Sequence, residues 1–359
     1  MKAIIKRELC NYWKNPVFYL GILIALAAMY MILSPYLSLH RWDNDGQIKA
    51  VSLEEIGDVD IMDGYIPTSE EEKIEGGLLK VQEELIKYWE MSKEEASAIV
   101  KDAEAHGDSV IEVCQYLEDQ YNYSFKSAYY HMEESGIRQA TAQEANDFLD
   151  QVFKEQRYSW YFARKFADFG GLFLIIFAAV MMAFLFLQDT KRDMYELLHT
   201  KPITAAGYVL GKIAGGLLAL VQVLALFTVF FTVLCVFQGR EQGFPVAVWE
   251  LAAAAVIYIL PNLFMVTAVY AGTALLFKNP LPALPALFLY VVYSNMGSRN
   301  AQGIYDYYGR PLAIMVRFPG RFLETAPPPY VLLNQMFLIL AAAVVTMLCV
   351  RIWKRRRFY

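Results

Sequence analysis

The chain has 359 residues, 57% of them hydrophobic and 19% charged, with 37 acids against 32 Lys and Arg for a net charge of −5. Nothing in that balance supplies a basic footprint for nucleic acid. Six stretches of 20 residues or more carry no charged side chain, at 15–40, 169–188, 213–239, 251–277, 279–298 and 325–350. A bilayer core about 30 Å thick takes roughly 20 apolar residues of helix. Length and patterning therefore exclude a soluble chain and predict an all-α polytopic membrane protein with six transmembrane helices and a large, mainly helical extracytoplasmic domain between the first two.

Residues 1–16 predict a cytoplasmic amphipathic helix. Ile4, Ile5, Leu9, Tyr12 and Trp13 gather near one face, with Lys6, Arg7, Asn11 and Lys14 mostly on the other. Such a helix is expected along the inner membrane surface, its apolar face in the headgroup boundary, and Pro16 permits a sharp turn into the first span. That span, 17–38, reads as a retained anchor. Its apolar run exceeds the roughly 7–15 residues of a signal h-region, and no small-x-small cleavage pattern follows.

Residues 41–160 hold 28 of the 37 acids but only 11 of the 32 basic residues. The segment 41–165 is thus an acidic extracytoplasmic domain, with helices expected at 69–90, 92–106, 108–122 and 141–165. Ser69 with Glu72, Ser92 with Glu95 and Thr141 with Glu144 have capping-box spacing, and the last helix is expected to run unbroken into the second span. Asp58, Asp60, Asp63 and Gly64 miss the calcium-loop spacing and read as an acidic turn. Cys10, Cys114, Cys235 and Cys349 are too scattered for a disulfide framework or a metal cluster.

The second span is expected at 169–188, and a cytoplasmic helix at 189–204 stops before Pro202. There Met194, Leu197, Leu198 and Pro202 form an apolar patch bordered by Lys191, Arg192, Glu196 and Lys201, suited to a groove on a soluble protein. The third span, 213–236, follows Gly207-x3-Gly211-Lys212-Ile213, which lacks a residue and the Ser or Thr of a phosphate loop. Gly211 and Gly215 instead sit one turn apart, where a second helix can approach closely. The fourth span, 251–277, contains Pro261, expected to kink it. The fifth is placed at 281–296, an outer interfacial loop at 297–329, the sixth span at 330–350 and a basic cytoplasmic tail at 351–359. Clusters of 4, 4, 1 and 5 basic residues at 1–15, 189–212, Lys278 and 351–359 place both termini in the cytoplasm.

His40, His106, His131 and His199 form no metalloprotease motif, and no G-x-S-x-G is present. The chain is expected not to be an enzyme and to hold no metal or cofactor. Gln222 and Asn262 are the candidates for a translocation path among the polar residues of the spans, weighed against simple interhelical hydrogen bonding.

The opening Lys6-Arg-Glu-Leu-x4-Lys14-Asn-Pro16, and Asp189-x-Lys-Arg-x2-Tyr-Glu-Leu-Leu-x-Thr-Lys-Pro-Ile-Thr204 followed by Gly211-Lys212, resemble permease subunits of ATP-binding-cassette transporters of the type 2 exporter class. The resemblance covers residues 1–40 and 169–236, and the 41–165 domain departs from simple members. It implies six spans with both termini inside the bacterial cytoplasmic membrane, and a coupling helix carrying Lys191, Arg192, Tyr195, Glu196, Leu197, Leu198 and Pro202. It implies an elbow helix using Ile5, Leu9 and Trp13. It also implies an ABC ATPase partner that holds ATP and magnesium, and a second permease copy or paralogue. The alternative is a membrane-anchored sensor or scaffold whose acidic outer domain binds a ligand without transport.

Overall fold

The computed structural model describes residues 1–50, 59–183, 185, 203–299, 305–306 and 310–356. In chain order the helices are α1 (Lys2–Trp13), α2 (Pro16–Leu33), α3 (Glu70–Tyr88), α4 (Lys93–Ala105), α5 (Val110–Tyr121), α6 (Phe125–Glu134), α7 (Ala142–Glu155), α8 (Tyr158–Met182), α9 (Ala205–Glu241), α10 (Glu250–Phe277), α11 (Ala283–Asn295) and α12 (Val331–Arg356). Strands β1 (Tyr65–Pro67) and β2 (Ile137–Gln139) form an antiparallel ribbon. The chain divides into two compact units, one of Met1–Ser38, Gln156–Ser298 and Tyr307–Tyr359, the other of Leu39–Glu155 with Arg299–Asp306.

Among the described residues of the first unit five helices, α2, α8, α9, α10 and α12, are long and apolar enough to cross a membrane. Asn15 caps α2 by accepting from the Val17 N–H at 3.0 Å, and Pro16 takes the first helical position, where its missing N–H costs nothing. The direction of each helix follows from its neighbours. Gly21 of α2 lies against Phe177 and Met181 of α8 while Met29 lies against Gly170, so α2 and α8 are antiparallel. On α9, Gly216 meets Met182 and Phe231 meets Phe166, again antiparallel to α8. Tyr208 of α9 stacks on Trp353 of α12 at 4.4 Å, which puts the start of α9 beside the end of α12.

The helices α10 and α12 run parallel. Gly272 of α10 lies beside Val345 and Cys349 of α12. At the other end a single segment covers both helices, with Tyr258 against Phe318 at 5.2 Å and the Asn334 amide donating to the Ala313 carbonyl at 3.0 Å. Between them lies α11, 13 residues or about 20 Å long, shorter than the span expected at 281–296. Pro280 and Pro282 precede its first turn and delay its start.

One further expectation is corrected. The 141–165 helix is not continuous into the second span: α7 ends at Glu155 and α8 begins at Tyr158, because Arg157 is extended (φ −75°, ψ 153°). Its guanidinium pairs with Glu250 at 2.9 Å, and the next N–H, of Tyr158, donates to the Pro245 carbonyl. Where Pro261 is expected to kink α10, the helix has a π-helical turn at Ala255–Ile259, ending two residues before the proline. Proline offers no N–H to the preceding turn, and the widened turn accommodates that loss.

In the second unit α3 to α6 enclose their own core around Leu78, Val81, Val113, Cys114, Leu117 and Met132. Ser69 with Glu72 and Ser92 with Glu95 form reciprocal caps at the starts of α3 and α4. Helix α6 was not expected from the sequence; it follows Asn122, whose left-handed backbone (φ 55°) ends α5. Asp60 and Asp63 cap a short turn reciprocally, with Gly64 left-handed at φ 83°. The ribbon pairs Ile66 with Arg138, so the excursion from 68 to 136 leaves and returns through adjacent strands. Helix α7 is held by Asp45 accepting from the Ala142 N–H at 2.6 Å, by mutual hydrogen bonds between Asn146 and the Trp42 backbone, and by Arg41 on Asp150 at 2.5 Å.

Arg138, 2.8 Å from Glu144, and the Thr141 cap hold the Glu144 carboxyl down to about 2, and Arg41 lowers that of Asp150. A depressed carboxylate stabilises the fold above its unfolded value and loses that contribution as pH falls toward the folded one. Hydrogen exchange across residues 137–155, corrected for the intrinsic rate, should therefore rise between pH 4.5 and 2 in the intact protein. In Glu144→Gln the residues should already exchange faster at pH 6, and the acid-induced increase should shrink.

Candidate functional site

The residues of the proposed coupling helix, Lys191, Arg192, Tyr195, Glu196, Leu197, Leu198 and Pro202, lie outside the described residues. Directly after them Thr204 caps α9, its hydroxyl accepting from the Gly207 N–H at 3.1 Å. The first turns of α9 then form a joint with α1.

The two helices run in the same sense along this joint, with Ile4 at Gly211, Glu8 at Gly215 and Trp13 at Gln222. A Cβ at Gly215 would lie 2.5 Å from Glu8 Cβ and one at Gly211 3.0 Å from the Ile4 side chain, so both glycines are required by the close approach. The small-residue pair foreseen in the sequence thus receives α1. Glu8 and Lys212, each 6% exposed, form an ion pair at 2.8 Å in this seam. Tyr12 is buried, and Ile4, Ile5, Leu9 and Trp13 are half-buried. The face expected to enter the headgroup region is instead largely packed on protein, and it contains a charge that the apolar pattern hid.

Gln222 is exposed, and its side-chain oxygen accepts from Trp13 Nε1 at 2.7 Å, so it tethers α1. Asn262 is fully buried, its amide donating to the Tyr258 carbonyl at 2.6 Å beside the π turn. Among the described residues its Oδ1 has no partner, nor does either side-chain polar atom of Gln335, buried on α12. Unsatisfied polar atoms at such depth are costly, and here they mark polar positions inside an otherwise apolar bundle.

The opposite end of the bundle carries a set of charges that the sequence analysis left outside the second span. Arg164, Lys165 and Asp168 are all buried on α8 and grip the segment 317–325. Asp168 accepts from the Arg317 guanidinium and, at 2.9 Å, from the Phe318 N–H. Lys165 donates to the carbonyls of Phe318 and Gly320 at 3.3 and 2.8 Å, and Arg164 donates to that of Thr325. Arg164 also lies 3.3 Å over the Trp160 ring. Three cations face one carboxylate, and inward-turned backbone carbonyls supply the balancing negative ends. Phe322 fixes the strap among Tyr36, Tyr158 and Tyr161, with ring centroids 5.1 to 6.2 Å apart. Arg164-Lys-x2-Asp168 within an aromatic helical run was the available signal, since ionisable residues on a spanning helix require partners.

Removing one member of the buried Glu8–Lys212 pair should cost about 3 kcal/mol, because the other charge stays buried alone. In thermal unfolding followed by tryptophan fluorescence, Glu8→Met and Lys212→Met should each lower the midpoint more than the double variant does. At the other end, Asp168→Asn should speed exchange of the Phe318 amide about tenfold or more, the loss expected for a hydrogen bond to a charged acceptor. Unchanged exchange would mean that Asp168 does not hold the strap.

Residues 140–295 match the family model described as ABC-2 family transporter protein. The match begins just before α7 and ends with α11, so it includes the charged turn of α8 and the α9 side of the α1 joint, but not α1 itself. No curated protein and no solved structure matches the chain. Over residues 140–295 the multi-pass membrane protein described above is thus similar to the ABC-2 family transporter model, consistent with a permease subunit of an ABC transporter.

Proposed function

We propose that the chain is the permease subunit of an ABC exporter in a bacterial cytoplasmic membrane, forming the translocation path while a separate ATPase binds and hydrolyses ATP with magnesium. The observation that carries this reading is the match of residues 140–295 to the ABC-2 transporter model, in which the 191–202 stretch shortly precedes in sequence the helix that α1 grips. Force from a closing ATPase dimer on Tyr195, Glu196, Leu197, Leu198 and Pro202 would reach α9 through Thr204. Because Glu8 and Lys212 lock α1 to α9, the two helices would move as one body.

Parallel α10 and α12 need a return crossing between them, which supports α11 as the short fifth of six spans. Tyr208 on Trp353 brings the α12 terminus to the end that holds α1, in keeping with both termini in the cytoplasm beside the basic residues 351–357. The acidic unit, Leu39–Glu155 with Arg299–Asp306, is inserted in the sequence between α2 and α8, in keeping with an extracytoplasmic domain between the first two spans. A second copy or a paralogue completes the path, with Asn262 and Gln335 as its polar positions.

The test is a gentle-detergent pull-down of the tagged protein from its native host, followed by an ATPase assay. An ABC ATPase is expected to co-purify and to be lost in Glu196→Ala/Leu197→Asp. Recovery of intact protein without an ATPase would favour a membrane-anchored sensor or scaffold instead.

A further inference from the structure

A cleft of about 210 Å³ opens between the end of α11 and the start of α12. Pro311, Met315, Val316, Pro328, Leu333 and Phe337 make its walls mostly apolar, Ser294 and Asn334 add polar groups, and Arg317 is the one charged lining residue among the described residues. Its volume falls below the roughly 300–1,000 Å³ of sites that enclose a whole small molecule, so it suits one chain of a larger amphiphile. It faces outward from a spanning helix: Leu333 is 48% and Phe337 51% exposed, and Tyr330, at its rim, 81%. In a membrane, that surface meets lipid.

The rim is cationic. Arg317 is neutralised by Asp168, but Arg310, next to the lining Pro311, lies 5.2 Å over the Tyr293 ring and has no carboxylate partner among the described residues. The first turn of α12, Val331 to Asn334, adds the positive end of a 26-residue helix at the same rim. An apolar slot open to the bilayer, with a surplus cation and a helix start at its mouth, is complementary to an anionic headgroup on an acyl chain.

We propose that this cleft binds an anionic phospholipid of the surrounding bilayer, one acyl chain lying along Val316, Leu333 and Phe337 and the phosphate meeting Arg310. Such a lipid would brace the 311–317 segment, whose other side is fixed to α8 through Asp168. The proposal depends on α12 crossing the membrane and not on the identity of the transported substrate or on an ATPase partner.

The test is native mass spectrometry of the delipidated full chain in detergent, titrated with phosphatidylglycerol or with phosphatidylcholine of identical chains. One basic residue near an anionic lipid contributes about 1 kcal/mol, about fivefold in affinity. A preference of about that size for phosphatidylglycerol is expected, lost in Arg310→Gln, while Leu333→Trp, which fills the slot, should weaken both lipids. A phosphatidylglycerol bearing a photoreactive acyl chain should crosslink to residues 311–316 and 331–337 of the unaltered protein, a readout that needs no variant to fold. Equal affinity for the two lipids, a preference that survives Arg310→Gln, binding indifferent to Leu333→Trp, or crosslinks confined to other helices would each overturn the proposal.

Discussion

A carboxylate and an ammonium shut away from water join the first helix of the chain to α9. Once Glu8 enters the seam beside Gly215 it needs a cation, and Lys212 is within reach only because Gly211 and Gly215 present no side chains. Desolvating both groups opposes the contact, and the close approach makes their attraction strong enough to offset it. The pair therefore sets the register of α1 on α9, and Trp13 on Gln222 extends the same register by two further turns. The turn into α2 at Asn15 and Pro16, and with it the position of α2 against α8, follows from that seam.

The other end of the bundle uses charge differently. At the α1 seam two side chains neutralise each other. At the α8 end Arg164 and Lys165 are met by backbone carbonyls of the strap while Arg317 of the strap pairs with Asp168, so the loop itself is part of the neutralising shell. The accepting carbonyls of Phe318, Gly320 and Thr325 flank a short 3-10 turn at Phe322–Glu324 and so face the cations instead of being used within it.

The sequence made the membrane class and the long apolar helices legible, because a run without charges reports the bilayer thickness directly. Local signals also survived where they act within one turn: Ser69 and Ser92 cap the helices that their spacing with Glu72 and Glu95 announced. Contacts between distant segments were less visible. The amphipathic pattern of α1 gave Glu8 no special place, since its partner is on another helix far along the chain. The join at Gln156 and Arg157 looked helical because the bond from Tyr158 to Pro245, which interrupts it, forms only in the folded unit. Asp168 looked like the boundary of a span, and only the arrival of Arg317 makes it an interior residue. Of the candidate site, the glycine pair was readable, while the direction from which its neighbour comes was not.

The ribbon of β1 and β2 has a consequence for how this chain can change over generations. Since Pro67 and Ile137 are paired, the whole excursion between them begins and ends one strand spacing apart. Its helices have their own core, so they can be lengthened, exchanged or trimmed back to a hairpin without altering the span between the two anchoring strands. Selection can thus rework this excursion independently of the residues that hold the spanning helices in place.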